Sequence, residues 1–232
     1  MNVDKELKLV IFDCDGTLVD SQAMIVEAMQ QAFMSHCIPV PGRNSIKSII
    51  GLSLDEAIER LCVRKNSANI NQLCEAYKTA FVKIREEDDE REPLFPGALS
   101  FLKDLSTRDD VLLGVATGKS RRGVDVLFER EELGHFFSTI QTADGSPSKP
   151  DPHMINQAIT ETGVEREHTY MIGDTSFDIE MAVNAGVTAL GVSWGYHKTE
   201  ELLHAGAHGV ADQFVDLETF MPTIFADRNK VA

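Results

Sequence analysis

Asp13 and Asp15 stand two positions apart in the stretch DCDGTLVDS, directly after the apolar run Leu9, Val10, Ile11 and Phe12. At the end of a strand, that spacing puts both carboxylates on one side of the pleat and turns Cys14 to the other. Two acids facing one ligand can share the work of nucleophile and proton carrier, or hold a metal ion. Crowded carboxylates repel, so the pair implies either a nearby cation or a retained proton. A calcium loop is the other reading of DxDG, and it fails on counting. With Asp13 as its first position, Leu18 falls where the loop needs glycine and Met24 where it needs glutamate.

More polar groups follow later apolar runs. Thr117, Gly118 and Lys119 come after DVLLGVA (110–116), Lys149 lies in SKPDP (148–152), and Asp174 and Asp178 lie in GDTSFDIEMA (173–182). Taken singly these are ordinary loop residues, and their recurrence at strand ends is what marks them. Asp178 would also suit the first turn of a helix on dipole grounds alone. Lys119 reads as a solvated residue at a helix start. The seven histidines show no metal-ligand spacing, so His153 and His197 read as structural or exposed, and Trp194 as a packing residue.

The elements that must position these groups follow from the apolar pattern. Short continuous runs at 7–12, 110–116, 138–143, 168–172 and 187–192 predict strands, and helical spacing at Ser120 to Glu131, Pro152 to Thr162 and Ser176 to Ala185 alternates with them. Strands apolar on both faces and separated by helices imply an α/β fold, a doubly wound, Rossmann-like parallel sheet. Ligands of such sheets sit beyond the carboxyl ends of the strands. Residues 20–92 break the alternation with three helical patterns and no strand, which predicts an all-helical cap domain inserted into a core domain of 1–19 and 93–232. The acidic run EEDDERE (86–92) reads as a solvated helix end, and PLFPG returns the chain to the core.

Composition narrows the partners. The 232 residues are 43% hydrophobic, enough for a sizeable core, and carry 37 acidic against 22 basic residues for a net charge of −15. This argues against nucleic acid and anionic membrane surfaces. No apolar run approaches the roughly eighteen residues of a membrane span, and the first residues lack the order of a signal peptide. Four cysteines without a CxxC pair point to reduced thiols and a cytoplasmic protein.

In their order along the chain, DCDGTLVDS, ATGKS, SKPDP and GDTSFDIEMA resemble the four motifs of the haloacid dehalogenase superfamily of phosphohydrolases. PLFPG, KPDP and GVSWGYH make the chain most similar to its phosphoglycolate phosphatase group. The resemblance implies a phosphatase of small phosphorylated metabolites, monomer or homodimer, with phosphoglycolate as the leading substrate. It implies Asp13 as nucleophile, forming an aspartyl-phosphate, and Asp15 as the acid and base that manages the proton. It also implies Mg²⁺ held by the Asp13 side chain, the Asp15 carbonyl and Asp174, with Asp178 in support. Thr117 and the Gly118 amide would bind phosphate, Lys149 would neutralise it, and the Gly16–Thr17 turn would offer it backbone amides. Arg43 and Lys47, expected in or near the loop after the first cap helix, are candidates to pair with a second anionic group of the substrate. A dehalogenase or phosphonatase would have no use for Asp15. A sugar-phosphate mutase of the β-phosphoglucomutase type keeps the whole set and stays open, and a non-catalytic phosphate-binding module is the rival from another class.

Overall fold

A computed structural model of the protein describes residues 6–62, 67–88 and 91–225. Its centre is β1 (Lys8–Phe12), KLVIF, buried at every position. Alternation along β1 splits its side chains between two cores: Val10 and Phe12 join one, Leu9 and Ile11 the other. Cys14 continues into the core of Val10 and Phe12, turned away from the odd-numbered side chains as the two-residue spacing requires.

Four helices follow: α1 (Gln22–Ser35), α2 (Arg43–Lys47), α3 (Leu54–Leu61) and α4 (Ser67–Glu87). Met24, Phe33, Ile58, Leu73, Phe81 and Ile84 on this segment form a third core, separate from the two under the sheet. The chain enters and leaves the segment side by side. Val19 makes an antiparallel bridge to Leu94, Asp20 N donates to Pro93 O at 2.9 Å, and Phe95 N donates to Leu18 O at 2.9 Å.

The remaining elements are α5 (Ala98–Ser106), β2 (Val111–Thr117), α6 (Arg121–Arg130), β3 (Phe137–Thr142), α7 (His153–Thr162), β4 (Thr169–Gly173), α8 (Ser176–Ala185), β5 (Thr188–Val192), α9 (Thr199–Ala205), β6 (Gly209–Ala211) and α10 (Leu217–Phe220). The sheet runs β3-β2-β1-β4-β5-β6 and every neighbouring pair is parallel. After β1 the chain builds outward on one side through β2 and β3, then returns to the other side with β4. The order therefore reverses between β1 and β4, and a crevice opens beyond their carboxyl ends.

The expected doubly wound α/β architecture is what the chain adopts, with shifts at element ends. β2 extends to Thr117 and β4 to Gly173, one residue past the apolar runs, because backbone pairing with β3 and β5 continues there. Arg43 and Lys47, expected in or near a loop, bound the short helix α2. Among the described residues no helix is long and apolar enough to cross a membrane.

Candidate active site

The carboxyl ends of β1 and β4 carry the acids. Asp13 and Asp174 each follow their strand by one residue, and Asp178 projects from the first turn of α8. One carboxylate oxygen from each lies within 4.8 Å of the other two, and all three residues are buried. Lys149 sits among them, its Nζ 2.9 Å from Asp13 Oδ1 and 2.6 Å from Asp178 Oδ1.

Local sequence fixes each acid in a different way. Asp178 closes a capping box with Thr175: its Oδ2 accepts from Thr175 N at 3.0 Å and from Thr175 Oγ1 at 2.7 Å. Asp174 accepts from Thr17 Oγ1 at 3.0 Å on Oδ1 and from Tyr196 N at 2.9 Å on Oδ2. Asp13 Oδ2, by contrast, meets no donor among the described residues. Glycines make room for this packing. A Cβ at Gly16, where φ is +91°, would fall 2.2 Å from Asp174 Oδ2, and one at Gly195 would fall 2.1 Å from Asp174 Cβ.

Charge balance gives the cluster its character. Burial pushes the Asp13 carboxyl up to about 7; Lys149 opposes that rise, while Asp178 and Asp15 add to it. Burial, then Asp178 and Asp13, drive Asp174 well above its ordinary value. Lys149 stays charged: burial disfavours its ammonium, but Asp13 and Asp178 raise its pKa above that of an ordinary lysine. Three buried acids thus share one ammonium, and one carboxylate oxygen is uncommitted. A hard dication fits this all-oxygen donor set and supplies the missing positive charge.

Asp15 points elsewhere. Its Oδ1 accepts from Ser21 Oγ at 2.7 Å and from Lys119 Nζ at 2.9 Å. Burial alone would raise its pKa, yet Lys119 and Ser21 outweigh burial and hold the carboxyl below its ordinary value. Lys119 is therefore not the solvated residue expected from sequence. Its side chain is 8% exposed and bridges Asp15 and Glu92. Glu92, the last residue of the acidic run read as solvated, is fully buried. It is drawn inward by Lys119 and by Arg85, whose Nη2 lies 2.8 Å from Glu92 Oε2.

Thr117 and Gly118 stand beside the acids at the end of β2, in the wall of a cavity of about 500 Å³. The cavity also opens onto Asp13 and Asp15, and its far wall comes from the helical segment, with Met29, Ile50, Tyr77, Phe81 and Arg85. The two walls touch. Ser53 N donates to Ser148 Oγ at 2.9 Å, and a Cβ on Gly118 would fall 2.5 Å from Leu52 O.

Two further expectations need correction. Gly16 N and Thr17 N do not offer themselves to a ligand, because they donate within their own turn, to Val19 O at 2.8 Å and Cys14 O at 3.2 Å. The contribution of Gly16 is space for Asp174. Arg43 and Lys47 do not line the cavity; Arg43 is exposed and donates to Gln22 Oε1 at 3.3 Å. The basic side chains in the cavity wall are instead Lys78, Arg85, Lys119 and Arg122. Trp194 packs as expected, donating from Nε1 to Thr17 O at 3.1 Å, and His197 binds backbone by accepting from Ser176 N at 3.1 Å. Ser21, Tyr196 and Gly195 were not legible in the sequence, although the last two lie in the GVSWGYH segment that carries part of the resemblance.

A family model described as haloacid dehalogenase-like hydrolase matches residues 10–192. The chain belongs to this family. Its sequence relatives include a Dickeya dadantii protein named probable phosphatase IndB, 34% identical over 90% of this chain and 91% of that one. A phosphoglycolate phosphatase of Vibrio cholerae is 28% identical over 95% of this chain and 98% of its own. A crystal structure of a Pseudomonas syringae hydrolase superposes with a TM-score of 0.82 at 26% identity, covering 92% of this chain and 97% of the other. This member of the family is an enzyme of its phosphatase group.

Proposed function

We propose that the protein is a Mg²⁺-dependent phosphatase of small phosphorylated metabolites that works through an aspartyl-phosphate on Asp13. The observation that carries this reading is the buried cluster of Asp13, Asp174 and Asp178 around Lys149, with Asp13 Oδ2 uncommitted beside the cavity. Asp13, Asp174 and Asp178 would hold the Mg²⁺, with the Asp15 carbonyl as a further oxygen donor. Bound there, the cation neutralises phosphate charge and keeps Asp13 ionised near neutral pH.

Asp13 forms an oxygen–phosphorus bond as the ester oxygen leaves, and Lys149 holds Asp13 Oδ1 in place for that attack. Asp15 gives its proton to the leaving oxygen; the negative charge of a bound phosphate raises its affinity for that proton. Asp15 then takes a proton from the water that attacks phosphorus, and phosphate leaves Asp13. Thr117 Oγ1, which accepts from Lys119 N at 3.2 Å, donates to a phosphate oxygen. Residues 20–92 act as a cap on the core of 1–19 and 93–232, excluding water from the cavity between them.

Phosphoglycolate is the first substrate to test, since the V. cholerae relative bears that name. The cavity of about 500 Å³ has room beyond a two-carbon acid, so the screen extends to larger monoesters. The free thiols of Cys14, Cys37, Cys62 and Cys74 support a reducing compartment such as the cytoplasm. The test is phosphate release from p-nitrophenyl phosphate and a panel of metabolites, with and without Mg²⁺. Metal-dependent release by the wild type and none by Asp13→Asn are expected. Turnover that ignores Mg²⁺, or full activity in the variant, would sink the proposal.

A further inference from the structure

Glu92 precedes Pro93, where the helical segment returns to the sheet, and it is fully buried. A carboxylate in that position needs partners. Its Oε1 lies 2.9 Å from Lys119 Nζ, and its Oε2 accepts from Arg85 Nη2 at 2.8 Å and Nε at 3.1 Å. Arg130 Nη2 donates to its carbonyl oxygen at 2.6 Å. Lys119 Nζ then reaches Asp15 Oδ1 at 2.9 Å, with the Phe81 ring 5.2 Å away. A continuous chain of charges thus runs from Arg85 on α4, through the return hinge, to Asp15 at the end of β1. For charge alone, Arg85 would already balance Glu92. Lys119 instead divides its ammonium between the hinge and the acid that handles the proton.

We propose that Glu92 is a positioning residue for phosphoryl transfer: through Lys119 it holds the Asp15 carboxyl at the cavity, and through Arg85 it ties that hold to the place of α4. The proposal rests on the reading of Asp15 as proton donor. Removing the charge at Glu92 weakens the tie between Lys119 and the hinge, so the ammonium that holds Asp15 Oδ1 is itself held less firmly.

Leaving groups separate this role from a structural one. Phenyl phosphate needs a proton as it departs, whereas 2,4-dinitrophenyl phosphate does not. The comparison uses kcat/KM, which ends at transfer of phosphorus to Asp13. With Mg²⁺ present, Glu92→Gln is expected to lower kcat/KM for phenyl phosphate about tenfold, part of the effect of general acid catalysis, and to leave the dinitrophenyl ester within about twofold. In a Lys119→Met background the same substitution should add no further loss. Should the amide variant fail to fold, Glu92→Asp keeps the charge, withdraws it by one methylene and is read in the same way. Equal losses on both esters, no loss on either, or a further tenfold loss without Lys119 would overturn the proposal. A wild type inactive on both esters would overturn the reading of Asp15 and this inference with it.

Discussion

Removing Mg²⁺ while raising the pH should destabilise the protein, and the size of the effect follows from Asp13. Its carboxyl rises from an ordinary 3.8 to about 7, chiefly through burial. An acid with a raised folded pKa binds more protons folded than unfolded, so stability falls as pH climbs from the unfolded value to the folded one. The full rise corresponds to roughly 4 kcal/mol, and the part between pH 6 and pH 8 is about 1 kcal/mol. For a chain of 232 residues, that part lowers the melting temperature by about 2–4 °C. Asp174, raised well above its ordinary value by burial, Asp178 and Asp13, adds loss in the same direction. Mg²⁺ favours the ionised carboxylates, so a saturating concentration should flatten the dependence and stabilise more at pH 8 than at pH 6. Thermal melts at both pH values, in EDTA and in excess Mg²⁺, make the comparison. A metal-free protein that melts higher at pH 8, or equal Mg²⁺ stabilisation at both values, would refute the charge balance assigned to the cluster.

Two further outcomes follow from the packing. Gly195→Ala places a methyl 2.1 Å from Asp174 Cβ, so the carboxylate must move; the Mg²⁺ concentration for half-maximal activity should rise about tenfold or more, whereas Gly134→Ala, with nothing within 4 Å, should leave it unchanged. Arg43→Ala and Lys47→Ala should keep kcat/KM for phosphoglycolate within about twofold, because neither side chain lines the cavity; a tenfold loss would put them in contact with substrate.

What the sequence made legible was whatever is local. The β1 run and the two-residue spacing of Asp13 and Asp15 were readable because strand alternation is a property of neighbours along the chain. α8 was legible to its ends, Ser176–Ala185, because Thr175 and Asp178 form a capping box within four residues. β6 was not, since three residues make no apolar run. Lys119 and Glu92 were misread for a deeper reason. Glu92 closes an acidic run and Lys119 stands at a helix start, both of them patterns of a solvated surface, and only the partner tens of residues away makes burial tolerable. The space that Gly195 leaves for Asp174 is likewise a contact between distant segments. Arg85 was hidden inside an ordinary helical pattern, and its place in the cavity wall depends on how α4 packs over the sheet edge.

If Asp13 is the nucleophile, it becomes covalently attached to phosphate during turnover. Acid quenching during turnover, followed by borohydride, reduces an acyl phosphate to an alcohol, and peptide mass spectrometry then locates the altered residue. Reduction at Asp13 is expected, in the wild type and only when Mg²⁺ and substrate are both present. Reduction at Asp15 or another acid, or none at any residue while phosphate is being released, would contradict the role of Asp13 as nucleophile.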